Sequence, residues 1–571
     1  MVLVVLYKGV YIMSYFLKKT TLKNRTYLAI YESFYSSEKK GTAHRTYKSL
    51  GSIETLIKNG MTDPIAYYQK EVDSLNLEKR EAGVKKISNV SPLMHLGFFP
   101  LKSILDKMKI KKFVDLFQLT NSFEYDLYDL LSSLIYARCV QPCSKRKTFH
   151  DVLPQLHTSH DYSYHQLLSG LAFIGNNYEK FVELFTAQTK NIYTLDTTKT
   201  YFDCTNFYFE IDREDDFKRK GPSKENSKNP IVGLGLLLDA HQIPIGMKMY
   251  PGNESEKPVL RNVISQLKSQ NNITGKTIHV ADKGLNCTDN IVASTLNGDG
   301  YLFSKSVKQL PAQEKLWLLR PHDFTKVCDA NGKHLYSFKS CVDDFSYTIT
   351  RADGKKQKVS LTEKRLVTFN PKLAEKKKYE IRKMIEKAHK LSLSQAKQKE
   401  YGDVGKYVTF KEHDGKKSRI ELNEAAISKD LELAGYNLLI TSEVTMSDQD
   451  MYDTYHNLWR IEESFRIMKS DLDARPVFLQ KTNSIQGHFL ICYLTVLLER
   501  LLQFKILDNK YSSSELFAFF RNFRVTKAEN KFINTSTLSP CIEGLSQTFN
   551  LPLTNYFLSD SQIKSILNAI L

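Results

Sequence analysis

The chain has 571 residues, 42% of them hydrophobic, which is enough for several buried cores and on length alone for roughly three to four domains. Lysine and arginine total 81 against 63 aspartate and glutamate, a formal charge of +18 that points to a nucleic-acid partner ahead of an anionic membrane surface. No uninterrupted apolar run approaches the ~20 residues of a membrane-spanning helix, so no membrane role is expected.

The apolar start at 1–13 is broken by Lys8 and lacks a basic leader and a small-residue cleavage site, so it reads as no export signal, with Met13 an alternative start. Eight scattered cysteines without zinc spacing read as reduced thiols of a cytoplasmic protein. Residues 14–35 read as a hairpin around Lys23-Asn24, followed by a basic loop as far as Gly51. From Pro100 to Tyr193 apolar residues recur at helical spacing: Leu101, Ile104, Leu105 and Met108, then Leu127, Leu130, Leu131 and Leu134, then Leu167, Leu168, Leu171 and Ile174. The basic turn at 138–147 suits either a phosphate backbone or a solvated interhelix loop.

Near Lys199 the period switches to two. Strands are expected at 201–210, 231–240, 243–250, 277–284 and 301–305, with helices at 257–269 and from Thr288, which together make a mixed α/β sheet covered by helices. Residues 310–440 break that rhythm with short strands at 333–339 and 346–350, a run of lysines and arginines from Lys355 to Lys383, and a helix at 374–400. They read as an insertion facing nucleic acid. A strand at 436–441 leads into 446–478, where Ser447 and Asp450 suggest a helix start and Leu458, Ile461, Phe465 and Met468 form an apolar stripe. Residues 489–498 read as a buried helix and the tail to Leu571 as mostly helical.

Three acids stand out. Asp203 lies among Tyr201, Phe202, Phe207 and Phe209, and Asp282 ends an apolar strand; a carboxylate in either place costs stability unless it is paired or binds a metal. A turn-capping role fits Asp282 equally well. On the 446–478 helix, Tyr455, Glu462 and Lys469 are spaced by seven, which returns each to within about 20° of one face. Alone, Glu462 also fits a solvated face with an i,i+4 pair to Arg466. Together, three converging carboxylates suit two Mg²⁺ ions acting on a phosphodiester. The absence of a GxxxxGK[ST] loop disfavours ATP chemistry.

At these residues the sequence resembles a DDE transposase of a bacterial insertion sequence. Its signature of Tyr, two residues, Arg, three residues, Glu, six residues, Lys is matched by Tyr455, Glu462 and Lys469, with Leu458 at the arginine position and Arg460 or Arg466 as the substitute cation. The surroundings of Asp203 and Asp282 are similar to those of the family's two aspartates. The resemblance implies an α/β protein with an RNase H-like mixed sheet flanked by helices, a large insertion before the glutamate helix, and an N-terminal β plus helical region. It implies a basic β-rich module at 1–90, a helical DNA-end-binding domain at 91–193, a catalytic core at 194–309 and 441–510 split by the insertion at 310–440, and a helical tail at 511–571. Asp203, Asp282 and Glu462 would be catalytic and would bind two Mg²⁺, with Mn²⁺ able to substitute. Tyr455, Trp459, Arg460, Arg466 and Lys469 would contact DNA. The implied partners are terminal inverted repeats, target DNA and a second copy of the chain on paired ends, in the cytoplasm at the nucleoid. An inactive DNA-binding descendant, or a nuclease that cuts without joining, would share the same residues.

Overall fold

The computed structural model describes residues 14–22, 24–36, 41–82, 91–121, 123–158, 160–224, 228–270, 272–350, 353–393, 401–413, 416–528 and 531–571. The apolar start with Lys8 and Met13, Lys23 of the expected turn, and the last residues of the expected 374–400 helix lie outside that set. The chain divides into two units, Met1–Asn89 and Val90–Leu571.

In the first unit, β1 (Tyr15–Leu22) and β2 (Arg25–Ser36) pair antiparallel across Asn24, whose φ of 62° is a left-handed conformation that asparagine tolerates. The basic stretch expected to be loop is instead β3 (Gly41–Ser52), paired with β2. Its charges concealed a strand because they sit on an exposed face or pair across the sheet, as Arg45 does with Glu32 at 2.6 Å. Two helices follow, α1 (Ile53–Lys58) and α2 (Pro64–Ala82), and Asn76 of α2 holds both backbone groups of Tyr15.

The second unit opens with β4 (Leu93–His95), α3 (Phe99–Lys107), α4 (Ile110–Leu119), α5 (Leu127–Val140), the single turn α6 (Lys145–Lys147), α7 (Tyr164–Asn176) and α8 (Tyr178–Ile192). The turn at 138–147 is only partly a surface. Arg138 is buried, donating to the carbonyls of Leu472 and Cys143, and buried Lys145 has its pKa lowered to about 7, first by burial and then by Arg138. The exposed cations there are Arg146 and Lys147.

Next come β5 (Lys199–Tyr208), β6 (Ile231–Leu238), β7 (Pro244–Pro251), α9 (Lys257–Ser269), β8 (Ile278–Ala281), α10 (Thr288–Leu296), β9 (Gly300–Lys305), α11 (Ala312–Leu319), β10 (Thr325–Cys328), β11 (His334–Thr350) and β12 (Lys356–Phe369). After α12 (Pro371–Leu393), β13 (Val408–His413), β14 (Lys416–Leu422) and α13 (Glu424–Glu432), β15 (Tyr436–Thr441) returns to the sheet. Nine strands form one mixed sheet in the order β10-β11-β12-β15-β9-β8-β5-β6-β7, with β5, β8 and β9 mutually parallel.

Successive side chains of the central strands enter opposite cores, as the pleat requires. Leu236, Val280, Leu302, Leu366 and Leu439 join one core, and Leu237, Ala281, Phe303, Val367 and Leu438 the other. A strand buried on both faces reads as a continuous apolar run, which is why 231–238 and 436–441 were legible. The expected insertion needs correction. Its two short strands are parts of one 17-residue strand, and the lysine-rich segment after them is β12, whose Lys364–Phe369 end pairs with β15 inside the sheet. Only the far end of that hairpin carries mostly exposed residues.

The remaining helices are α14 (Asp448–His456), α15 (Trp459–Arg466), α16 (Thr482–Leu501), α17 (Ser513–Asn522), α18 (Pro540–Phe549) and α19 (Asp560–Leu567). The tail is not all helix. Here β16 (Arg524–Ala528), β17 (Lys531–Asn534) and β18 (Phe557–Leu558) form a small sheet with β4 and bury Val525, Phe532 and Leu558. Helix α16 is buried all round from Gly487 onward and packs on α7 with no room for a side chain, since a Cβ on Gly175 would stand 1.7 Å from the Asn483 carbonyl oxygen. Gly175→Ala is expected to destabilise the chain by about 2–4 kcal/mol, read as a lowered denaturant midpoint.

Candidate functional site

The parallel register of β5 and β8 pairs Phe202 with Ala281, so the next residues, Asp203 and Asp282, stand side by side where β8 ends. The pleat sends both to the face covered by α14 to α16, because Tyr201 and Val280, two residues before each acid, point into the core on that side. Each carboxylate accepts the amide of the following residue, Cys204 at 2.7 Å and Lys283 at 2.5 Å. For Asp282 this bond is the expected turn-capping role.

Asp203 is largely buried, with 20% of its side chain exposed. Burial pushes its pKa up to about 6; the Lys224 ammonium and the Cys204 amide oppose this, and the carboxylates of Glu256 and Asp282 reinforce it. The phenol of Tyr455 on α14 donates to Asp282 Oδ1 at 3.4 Å and is held above its usual range by burial first, with Asp282 and Asp203 adding to the effect. Helix α14 is pinned over the sheet by Lys199 on Thr454 at 3.0 Å and by Lys364 on Asp448 at 2.7 Å.

The expected helix over 446–478 runs from Asp448 to Asp471 and is irregular in two places. Ser447 caps α14 as anticipated, accepting the Asp450 amide at 3.0 Å; α14 passes into α15 through a 3₁₀-type turn at Asn457 and Leu458, both in right-handed helical torsions, and a π turn covers Ile467–Asp471. Tyr455, Glu462 and Lys469 are thus separated by a tightened turn and a π turn, which shift the angular spacing from that of an ideal helix. Glu462 is exposed on α15, and its carboxylate has no ionic or hydrogen-bonded partner among the described residues. The i,i+4 pair with Arg466 does not form; Arg466 pairs with Asp471 at 3.1 Å and with Glu463 at 3.8 Å. Among the described residues no three His, Cys, Asp or Glu side chains gather as the ligands of one ion, so Asp203 and Asp282 are brought together and Glu462 is not gathered with them.

Lys469 lies within electrostatic range of Asp203. Its ammonium lies 5.5 Å from the Phe207 ring centroid, and its pKa is lowered by burial and then by Lys224, with Asp203 opposing. Trp459 is exposed, and the Arg460 guanidinium lies between its ring and that of Phe504, at 5.3 and 5.7 Å. Two residues at the site escaped sequence reasoning. The Lys224 ammonium donates to the Cys204 carbonyl and lies 3.5 Å from Asp203 Oδ1 and 3.8 Å from Glu256 Oε1. Only the basic loop and the acid in ProGlyAsnGluSerGlu hinted at them, and neither hint linked one to the other.

Fold and site thus define a mixed α/β protein in which Asp203, inside one strand, stands beside Asp282 at the end of the parallel neighbour, with a tyrosine and two lysines around them. No family model matches the chain, and no curated protein matches it. Among solved structures, a piggyBac transposase in a synaptic complex with hairpin DNA is similar over 74% of this chain and 78% of that chain, at 10% identity and a TM-score of 0.35, a slight likeness. No helix among the described residues is long and apolar enough to cross a membrane.

Proposed function

We propose that the chain is a DNA transposase that binds the ends of its own element, cleaves phosphodiester bonds there and joins the freed 3′ ends to target DNA. The observation that carries this reading is the side-by-side placement of Asp203 and Asp282 on parallel strands in a protein of net charge +18. An acid pair set into so basic a molecule suits a polyanionic substrate that needs a cation at the point of reaction.

The donor set fits a hard divalent cation. It is all oxygen, and Asp203 is a largely buried carboxylate whose ionic neighbour is a lysine at 3.5 Å. Asp203, Asp282 and Glu462 would hold two Mg²⁺ ions, or Mn²⁺ in their place, and Glu462 is included because its carboxylate is uncommitted. Such ions, when bound, activate the attacking oxygen and stabilise the leaving oxygen of a phosphodiester. Tyr455 orients Asp282 through its hydroxyl. Lys469, with Arg466, Arg460 and the Trp459 ring, holds phosphates and bases of the transposon end, an ionic contribution that falls with salt. Two copies acting on paired ends in the cytoplasm complete the reading.

The test uses labelled DNA ends taken from the inverted repeats flanking the coding region, with Mg²⁺. Cut ends followed by strand-transfer products are expected. Cut ends that never join would make the protein a nuclease, and binding without cutting would make it an inactive descendant. Tyr455→Phe, which removes one hydroxyl from Asp282 and leaves the ring in place, is expected to lower the cleavage rate about tenfold, with a stability change of no more than about 1 kcal/mol by thermal melting.

A further inference from the structure

Lys224 reaches the acids because of how two backbones meet. A Cβ on Gly221 would stand 2.0 Å from the Gly252 carbonyl oxygen, and one on Gly252 would stand 2.2 Å from that of Ile231 and 2.5 Å from that of Arg219. The segment before β6 therefore lies directly on the turn that follows β7, and any side chain at these glycines would force the two apart. On one side of the contact, Asn206 of β5 fixes the segment, accepting the Lys224 amide at 3.2 Å and donating to the Pro222 carbonyl at 3.1 Å. On the other side, the turn ends at Glu256, the N-cap of α9, whose side chain makes no capping hydrogen bond. Its carboxylate faces the Lys224 ammonium instead, at 3.8 Å, opposite Asp203 at 3.5 Å.

An ammonium seated between two carboxylates, with its third contact a carbonyl oxygen, has the surroundings that a hydrated divalent cation takes in an oxygen-lined site. The lysine side chain is 42% exposed, so it can leave this position without unfolding anything around it. Resting on the proposed metal-dependent reading of Asp203, we infer that Lys224 is the resident counter-ion of the acidic site, that a divalent cation displaces it, and that Glu256 is a further carboxylate of that cation's surroundings. The consequence is a built-in competition. With Lys224 seated, the acids are neutralised without metal. With metal seated, the ammonium is released toward solvent on the side where Lys469 already adds positive charge.

The test is Mn²⁺ binding to the full chain without DNA, followed by electron paramagnetic resonance of the free ion, so that no catalytic turnover enters the reading. Lys224→Met is expected to tighten Mn²⁺ binding about tenfold, the scale of a partly screened charge removed at this range. Glu256→Gln is expected to weaken it about ten- to a hundredfold, as loss of an outer-shell partner does. Lys224→Gln, which keeps a donor for the Cys204 carbonyl, carries the same expectation as Lys224→Met and guards against a folding defect, with melting curves of each variant as the control. Unchanged or weaker Mn²⁺ binding in both Lys224 variants, or unchanged binding in Glu256→Gln, overturns the inference. Asp203→Asn separates the two layers of argument. If it weakens Mn²⁺ binding while the Lys224 variants do not tighten it, the counter-ion role alone fails. If it leaves Mn²⁺ binding unchanged, the metal-site reading fails and the inference with it.

Discussion

Asp203→Asn is expected to abolish Mg²⁺-dependent strand cleavage and at the same time to raise the melting temperature of the metal-free protein at pH 7. Both effects follow from one carboxylate. Asp203 sits in β5 with Phe202 and Cys204 buried on either side of it, and burial raises its pKa from 3.8 to about 6. A folded-state pKa above the unfolded value means that the folded chain prefers the protonated acid. Stability is therefore fullest below about pH 4, is lost as the pH rises from 3.8 through about 6, and stays at its reduced level above that. The shift of roughly two units corresponds to at most about 3 kcal/mol. Asparagine keeps the shape and carries no charge, so it is expected to recover about 1–3 kcal/mol at pH 7 and almost nothing at pH 4. Cleavage should fall by more than the roughly hundredfold that loss of an outer-shell partner costs, because the reading gives Asp203 direct contact with the ion. End binding, which rests on cations spread over the surface, should survive in a gel-shift assay. A variant that melts lower at pH 7 than the parent would overturn the stability account, and one that still cuts at the parental rate would remove Asp203 from the site.

The same local physics decides what the sequence could disclose. Strands buried on both faces announce themselves as apolar runs, so β6, β8 and β15 were visible, and an acid interrupting such a run, as Asp203 and Asp282 do, was visible with them. Strand β12 was not, because Lys364 and Arg365 stand in it as ion-paired residues. Lys364 pairs with Asp448 at 2.7 Å, while Arg365 is buried against Glu314 at 2.6 Å and Glu363 at 3.1 Å. A cation spent on a partner far along the chain looks, in sequence, like a cation facing solvent. The junction of Lys224 with Glu256 was hidden for a related reason. It depends on Gly221 meeting Gly252, a contact of two backbones that leaves no periodicity to read. The 3₁₀-type turn at Asn457 and Leu458 carries neither proline nor glycine, so the pattern of 446–478 ran through it unmarked.

Glu462 and its neighbour Glu463 are told apart by their partners, and the two alanine variants are expected to behave in opposite ways. Glu463 is committed. Its Oε2 lies 3.0 Å from Arg500 Nη2, and the Arg500 side chain is 1% exposed. The other groups around that guanidinium are Gln503 at 2.5 Å, Ser513 at 3.2 Å and the fully buried Glu499 at 3.7 Å, whose own pKa is raised by burial. With Glu499 held toward its neutral form, Glu463 is the carboxylate that balances a buried cation between α15 and α16. Glu463→Ala is expected to cost about 2–4 kcal/mol, near the lower end for breaking a buried pair because Glu463 itself is partly exposed. Glu462 has no such partner, and Glu462→Ala is expected to change stability by less than about 0.5 kcal/mol. Cleavage should separate them the other way. Assayed below its lowered melting temperature, Glu463→Ala retains Mg²⁺-dependent cutting, whereas Glu462→Ala loses it while melting with the parent. An active Glu462→Ala protein beside a well-folded, inactive Glu463→Ala protein would transfer the third acid to Glu463 and leave Glu462 as surface.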